Sequence, residues 1–229
     1  MDAHYHMSFK VDADDLIDNC YAIATTRNYE MKMKKANRLP IAATLSIQEI
    51  MNLVPREHLY MEDGYGSLRS LPSLVNVWKT HGTVLAQHCP FTQDVHPHTQ
   101  ITLGQDRYIP AFVGVQSFET YEESGYGDSF EDDLEFEMST GPVAVALPVY
   151  PSYDRLIDGT FVYNPTEQEF EDCYYDEIQN HIMLATCSGR VNNLPVLRCQ
   201  DSSGTAWGDE GYVTIARHLV SHFFSIHLD

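Results

Sequence analysis

The chain changes character once, near Arg107, and that change limits the folds open to it. Before it, apolar residues recur at helical spacing; after it, short β-branched and aromatic runs dominate. The first helical pattern extends from about Ala13 to Leu39 through Leu16, Cys20, Ile23, Ala24 and Met31. Asp14, Asp15 and Asp18 sit near its start and Lys32, Lys34 and Lys35 near its end, which suits the helix dipole, and Pro40 stops it. Ser46-Ile47-Gln48-Glu49 is a capping box that opens a second helix toward Leu53, ending near Pro55. Pro72 to His81 reads as a third, stopped by Gly82. Strand-like runs follow at Tyr108–Val113, Val143–Leu147, Ile182–Ala185, Leu194–Leu197 and Tyr212–Ile215. The plan is α+β, with a helical part over about 13–107 and a β-rich part over about 108–217.

Between the first two strands, Glu122 to Glu137 carries eight carboxylates. Its first half, with Gly125 and Gly127, reads as a loop, and its second half as the start of a helix that ends before Gly141-Pro142. A tail over 218–229 holds Phe223, Phe224 and Ile226, which either pack on the body or form a contact patch.

Charge narrows the partners. With 33 acidic and 14 basic residues, the formal net charge is −19. Such a surface repels phosphate backbones, so nucleic acid is not an expected partner, whereas a basic protein is. No apolar run is long enough to span a membrane. No secretory signal or propeptide is read at the start, and the five cysteines show no zinc-type spacing. The expected place is therefore intracellular, cytoplasmic or nuclear, with reduced thiols. The pairs His4/His6, His96/His98 and His218/His222 have ligand-like spacing but no third ligand at a fixed distance, so no metal and no cofactor is expected.

Three stretches carry chemistry: Asn19-Cys20-Tyr21-Ala22-Ile23-Ala24, Asn180-His181-Ile182-Met183-Leu184-Ala185, and Asp201-Ser202-Ser203-Gly204-Thr205-Ala206-Trp207-Gly208. They supply a thiol at a helix start, an imidazole on a strand, and a carboxylate. A helix N-terminus favours a thiolate. An imidazole beside it forms the ion pair and later protonates the leaving amine. A third polar group holds the ring in orientation.

These stretches, in this order, resemble the papain-like cysteine peptidases. Cys20-Tyr21-Ala22-Ile23-Ala24 resembles Cys-Trp-Ala-Phe-Ala; Leu45-Ser46-Ile47-Gln48-Glu49-Ile50 resembles Leu-Ser-Glu-Gln-Glu-Leu; and Gly141-Pro142-Val143-Ala144-Val145-Ala146 resembles Gly-Pro-Val-Ser-Val-Ala. Asn180-His181 and Asp201 to Tyr212 resemble the family's Asn-His and Asn-Ser-Trp-Gly segments, and the likeness extends over roughly residues 8 to 217. It implies a two-lobe fold, with a helical N-terminal lobe and a β-barrel-like antiparallel C-terminal lobe that the N-terminal segment completes. It also implies Cys20 as nucleophile, His181 as base, Asp201 as orienting residue, and a peptide or protein in the inter-lobe cleft. His181 follows Cys20 by 161 residues, more than the roughly 130–150 usual in the family, and the acidic stretch accounts for the excess.

The departures weigh against turnover. Asp14 stands where the family has the oxyanion-binding glutamine, and an ionised carboxylate cannot donate. Asp18-Asn19 replaces Gly-Ser, Tyr21 a tryptophan, Ser203 the tryptophan that shields the imidazole, and Asp201 an asparagine. The substrate-pairing Gly-Gly falls at Leu68-Arg69 or at Gly64-Tyr65-Gly66. The family's disulfide positions are Ile17 and Leu53, and Cys173 lacks its C-terminal partner. The resemblance thus implies a degenerate member with impaired or no hydrolysis, acting as a peptide-binding or complex subunit. The alternative is an active intracellular endopeptidase using Cys20, His181 and Asp201.

Overall fold

In the computed structural model, residues 19–60, 67–69, 71–92, 101–123, 127–158, 161–173 and 179–228 are described. Helix α1 covers Cys20–Lys35. Helix α2, Ile47–Leu53, begins as its capping residue requires: the Ser46 hydroxyl accepts from the Glu49 N–H. A two-residue hairpin of β1 (Leu59–Tyr60) and β2 (Ser67–Leu68) precedes α3, Leu71–Thr80. Gly82 ends that helix region at φ +55, where a Cβ would meet the Tyr108 carbonyl at 2.1 Å. Only glycine fits there.

The second half contains β3 (Phe112–Ser117), α4 (Phe118–Glu123), α5 (Gly127–Thr140), β4 (Val143–Val149), a 3-10 segment Pro151–Asp158, β5 (Val162–Tyr163) and α6 (Glu167–Asp172). Then come β6 (Gln179–Val191), β7 (Leu194–Gln200), β8 (Tyr212–Ala216) and β9 (His222–His227). These strands form a seven-stranded sheet in the order β3-β9-β4-β6-β7-β8-β5, antiparallel except where β5 meets β8. The architecture is α+β, as the sequence implies. The barrel-like lobe is an open sheet among the described residues, since β3 and β5 stand at its two ends.

Two segments differ from the sequence reading, and the C-terminal tail takes one of the two forms open to it, packed on the body. The strand expected over Tyr108–Val113 starts at Phe112, because Pro110 has no N–H for a ladder. The start of the acidic stretch, read as loop, includes the end of α4. The C-terminal tail is not peripheral: β9 lies between β3 and β4, with Phe223, Phe224 and Ile226 buried.

Strand β4 explains how the halves join. Val143 to Leu147 are all buried, and alternate residues face different cores. Ala144 and Ala146 face the core shared with α1, α2 and α3, whereas Val143, Val145 and Leu147 face the core shared with α5 and the 3-10 segment. Small side chains on the first face let α1 pack closely on β4, β6 and β9. A buried ion pair ties the same helix to the far layer: Lys32 Nζ donates to Glu137 of α5 at 3.2 Å and to the Ile226 carbonyl of β9 at 2.9 Å. Together these contacts seat α1 against β4, β6 and β9.

Candidate active site

Cys20 is the first residue of α1 and is only 6% exposed. The Asn19 carbonyl accepts from the N–H groups of Ala22 and Ile23 at 3.0 and 3.1 Å, and its side chain makes no cap bond. The first turn holds no acid and the last turn holds three lysines, so the positive end of the dipole acts on the sulfur without an internal counter-charge. Behind the thiol, the Trp78 indole donates to Thr25 Oγ1 at 3.1 Å, and Thr25 donates to the Tyr21 carbonyl at 2.7 Å. Tyr21, where the resemblance implies tryptophan, is fully buried.

His181 lies on β6, opposite Leu147 of β4. Its Nε2 is 3.0 Å from Asp201 Oδ2, which leaves Nδ1 as the ring nitrogen that serves the Cys20 sulfur. Burial alone would push the His181 pKa down. The Asp201 carboxylate and the adjacent Cys20 sulfur more than offset this and hold the imidazole well above its ordinary value. The three residues of the expected triad therefore meet at one point.

Asp201 follows β7 at the entry of the loop to β8, its N–H donating to the Gly211 carbonyl at 2.9 Å. Gly208, at φ +59, holds that loop closed; a Cβ there would stand 2.4 Å from the Tyr212 carbonyl. The carboxylate is buried, and both oxygens are used. Oδ1 accepts from the Ser203 N–H at 2.7 Å and the Ser203 hydroxyl at 2.6 Å. Oδ2 accepts from His181 and from the Tyr153 hydroxyl. Burial pushes the Asp201 pKa up; His181, Ser203 and Tyr153 together more than reverse this and keep it below the usual carboxylate range.

Tyr153 was not among the residues the sequence singles out. It sits in the 3-10 segment 48 residues before Asp201, with no motif to mark it. Its ring stands edge-on to His181 at 5.8 Å between centroids and stacks on Trp207 at 5.9 Å. The tryptophan that the resemblance puts next to the third residue is Ser203, which binds the carboxylate instead. The aromatic cover over His181 comes from Tyr153, backed by Trp207.

Other sequence-chosen residues fare differently. Asp14 and Asp18 lie outside the described residues, as do Gly64-Tyr65-Gly66, His4/His6 and His96/His98. Leu68 pairs with Leu59 in the small hairpin, and the Arg69 side chain, donating to the Leu59 carbonyl at 2.8 Å, lies over the Tyr60 ring. Of the two places read for the paired glycines, this one carries side chains. His218 falls in a 3-10 turn and His222 at the start of β9, so they do not share a helix face. Among the described residues no group of three potential metal ligands converges. None of the five cysteines forms a disulfide, and no described helix is long and apolar enough to cross a membrane.

Comparison with known proteins agrees with this fold. The sequence profile of "Papain family cysteine protease" matches residues 13–223. The oryzain gamma chain of Oryza sativa subsp. japonica is 25% identical over 196 residues, which is 85% of this chain and 48% of that protein. Cathepsin C of Schistosoma mansoni is 26% identical over 95 residues, 40% of this chain and 21% of that one. The chain thus spans about half the length of the first of these relatives and about a fifth of the second. Bromelain from Ananas comosus, solved with the E64 inhibitor, superposes with a TM-score of 0.67 at 16% identity, over 97% of this chain and 94% of that one. A cysteine protease of Carica candamarcensis, also with E-64, gives 0.65 at 16% identity over the same shares. The fold, the meeting of Cys20, His181 and Asp201, and the profile match lead to one statement: this chain belongs to the papain family of cysteine proteases.

Proposed function

We propose that this chain takes a peptide into the cleft between its lobes and that Cys20 reacts there as a thiolate, with turnover well below that of a full peptidase. One observation carries the reading: Cys20 at the N-terminus of α1 adjoins an imidazole that Asp201 keeps protonated. Thiolate and imidazolium are the starting state for attack on a carbonyl. In that attack the sulfur bonds to the carbonyl carbon and His181 gives its proton to the leaving amine. A water, deprotonated by His181, then hydrolyses the thioester. The weak point is the oxyanion. Asp14 takes the place of a glutamine donor, and one lost donor lowers the rate by about 10²–10³. Such a site holds an acyl group longer than it should, which suits a binding or regulatory subunit. The net charge of −19 favours a basic protein as that partner, and five thiols outside any disulfide fit a reducing compartment.

The test is alkylation with an epoxide or low-dose iodoacetamide, read by mass spectrometry. Selective modification of Cys20 near neutral pH that disappears in His181→Ala is the expected result. Reactivity no greater than that of the exposed Cys187 overturns the reading. A second reading, a fully competent endopeptidase, is favoured by the four hydrogen bonds on Asp201. Ordinary turnover of a fluorogenic peptide by the wild-type chain would establish it.

A further inference from the structure

We propose that Tyr153 is a positioning residue that makes an aspartate usable as the third member of this triad, its hydroxyl sharing Oδ2 with His181 while its ring covers the imidazole. The proposal rests on the reading that Cys20 and His181 form a working pair. The difficulty it resolves is electrostatic. A neutral amide at this position can orient an imidazole without cost in charge, whereas a buried carboxylate needs donors for every lone pair it exposes to low dielectric. Ser203 covers Oδ1 through its N–H and its hydroxyl. His181 alone would leave Oδ2 half-used, and its full negative charge would tighten on the ring. The Tyr153 hydroxyl takes the remaining acceptor site of that oxygen and is also 3.2 Å from Met183 Sδ.

The phenol is built into place rather than resting there. Its N–H donates to the Tyr150 carbonyl at 2.8 Å, and the N–H of Ser152 donates to Glu169 of α6 at 2.9 Å. The Tyr163 hydroxyl accepts from the Tyr150 N–H at 2.7 Å, and the Tyr163 ring meets Tyr153 edge-on at 5.1 Å. Trp207 closes the opposite side. The charged or titratable groups that face this cluster are Cys20 from α1, His181 from β6, Cys199 and Asp201 from β7 and its end, and Tyr163 from β5. Burial and then the Asp201 charge push the Tyr153 hydroxyl well above its ordinary pKa, so it remains a donor throughout the working range.

Removing the hydroxyl concentrates the charge of Oδ2 on the one bond left to it, the bond to His181. The imidazolium is then held more tightly. Tyr153→Phe, which keeps the ring, should raise the His181 titration midpoint by roughly 0.5–1 unit, the worth of one such hydrogen bond. The upper limb of Cys20 alkylation against pH should move by the same amount. Histidine-selective NMR of the whole chain reads the first, and mass spectrometry the second. In an Asp201→Asn background the same change should leave His181 in place, because an amide has no charge for the phenol to share. An unmoved His181 in Tyr153→Phe, or an equal shift in both backgrounds, overturns the proposal and leaves Tyr153 a core residue. If wild-type Cys20 shows no His181-dependent alkylation, the catalytic reading falls while the NMR titration still decides the role of Tyr153. If Tyr153→Phe fails to fold, the double variant decides: folding with an unshifted His181 supports the proposal, and failure to fold there overturns it.

Discussion

The two walls of the site, one around the imidazole and one around the thiol, depart in different ways from the pattern that the sequence resembles. On the imidazole wall, an aspartate replaces an amide and a serine replaces an indole, yet each change is answered locally: Ser203 binds one oxygen, and Tyr153 binds the other and covers the ring. On the thiol wall, α1 is anchored through Thr25 and Trp78, while the resemblance puts Asp14 at a donor's place and the paired glycines at Leu68-Arg69 or Gly64-Tyr65-Gly66. Around the base, each oxygen of the Asp201 carboxylate has its donors.

The comparison can be broken by experiment. The largest effect belongs to Asp201→Ala. It strands His181, Tyr153 and Ser203 around an empty acceptor, and breaking a buried pair costs about 3–5 kcal/mol. Chemical denaturation should show that loss, with Cys20 alkylation reduced to the level of Cys187. A mild result would mean that the imidazole wall is not tightly coupled. Next is Asp14→Gln, which supplies the donor that the resemblance implies at that position. It should raise the acylation rate by about 10²-fold, measured with an activated ester. No gain would show that this wall fails for another reason.

The pH dependence of stability separates the walls further. The Asp201 pKa lies below its unfolded value, so its stabilisation is present above about pH 4 and is lost as pH falls through the folded value. The stability difference between wild type and Asp201→Asn should therefore be larger at pH 6 than at pH 3, in thermal scans. The His181 pKa is raised, so its share is present below about pH 6.5 and is lost as pH rises through the folded value. The smallest expected effect is Thr25→Val, which removes the acceptor of the Trp78 indole. It should cost about 1–2 kcal/mol in urea and leave the pH profile of alkylation unchanged.

Legibility followed the same division. Cys20, His181 and Asp201 could be read because each sits in a short stretch that resembles the family, although the helix read from about Ala13 begins at Cys20 among the described residues. The Ser46 cap was legible for the same reason. Tyr153 was not, because its task is set by a tertiary approach from a 3-10 segment with neither helical nor strand periodicity. Strand β9 was ambiguous because a strand buried on both faces shows no alternation, and nothing in Val220 to Leu228 says that the end of a chain will enter the middle of a sheet. Strand β3 began four residues later than expected, since Pro110 delays a ladder that apolar content alone suggested.

Ala144 and Ala146, on the face of β4 beneath α1, have a consequence for how such a chain evolves. They set the seat of the helix, and the seat sets where its first residue stands. The nearness of sulfur to imidazole is thus inherited from packing that selection for stability maintains by itself. Packing that serves stability can therefore keep a nucleophile in register whether or not a chain turns over peptide.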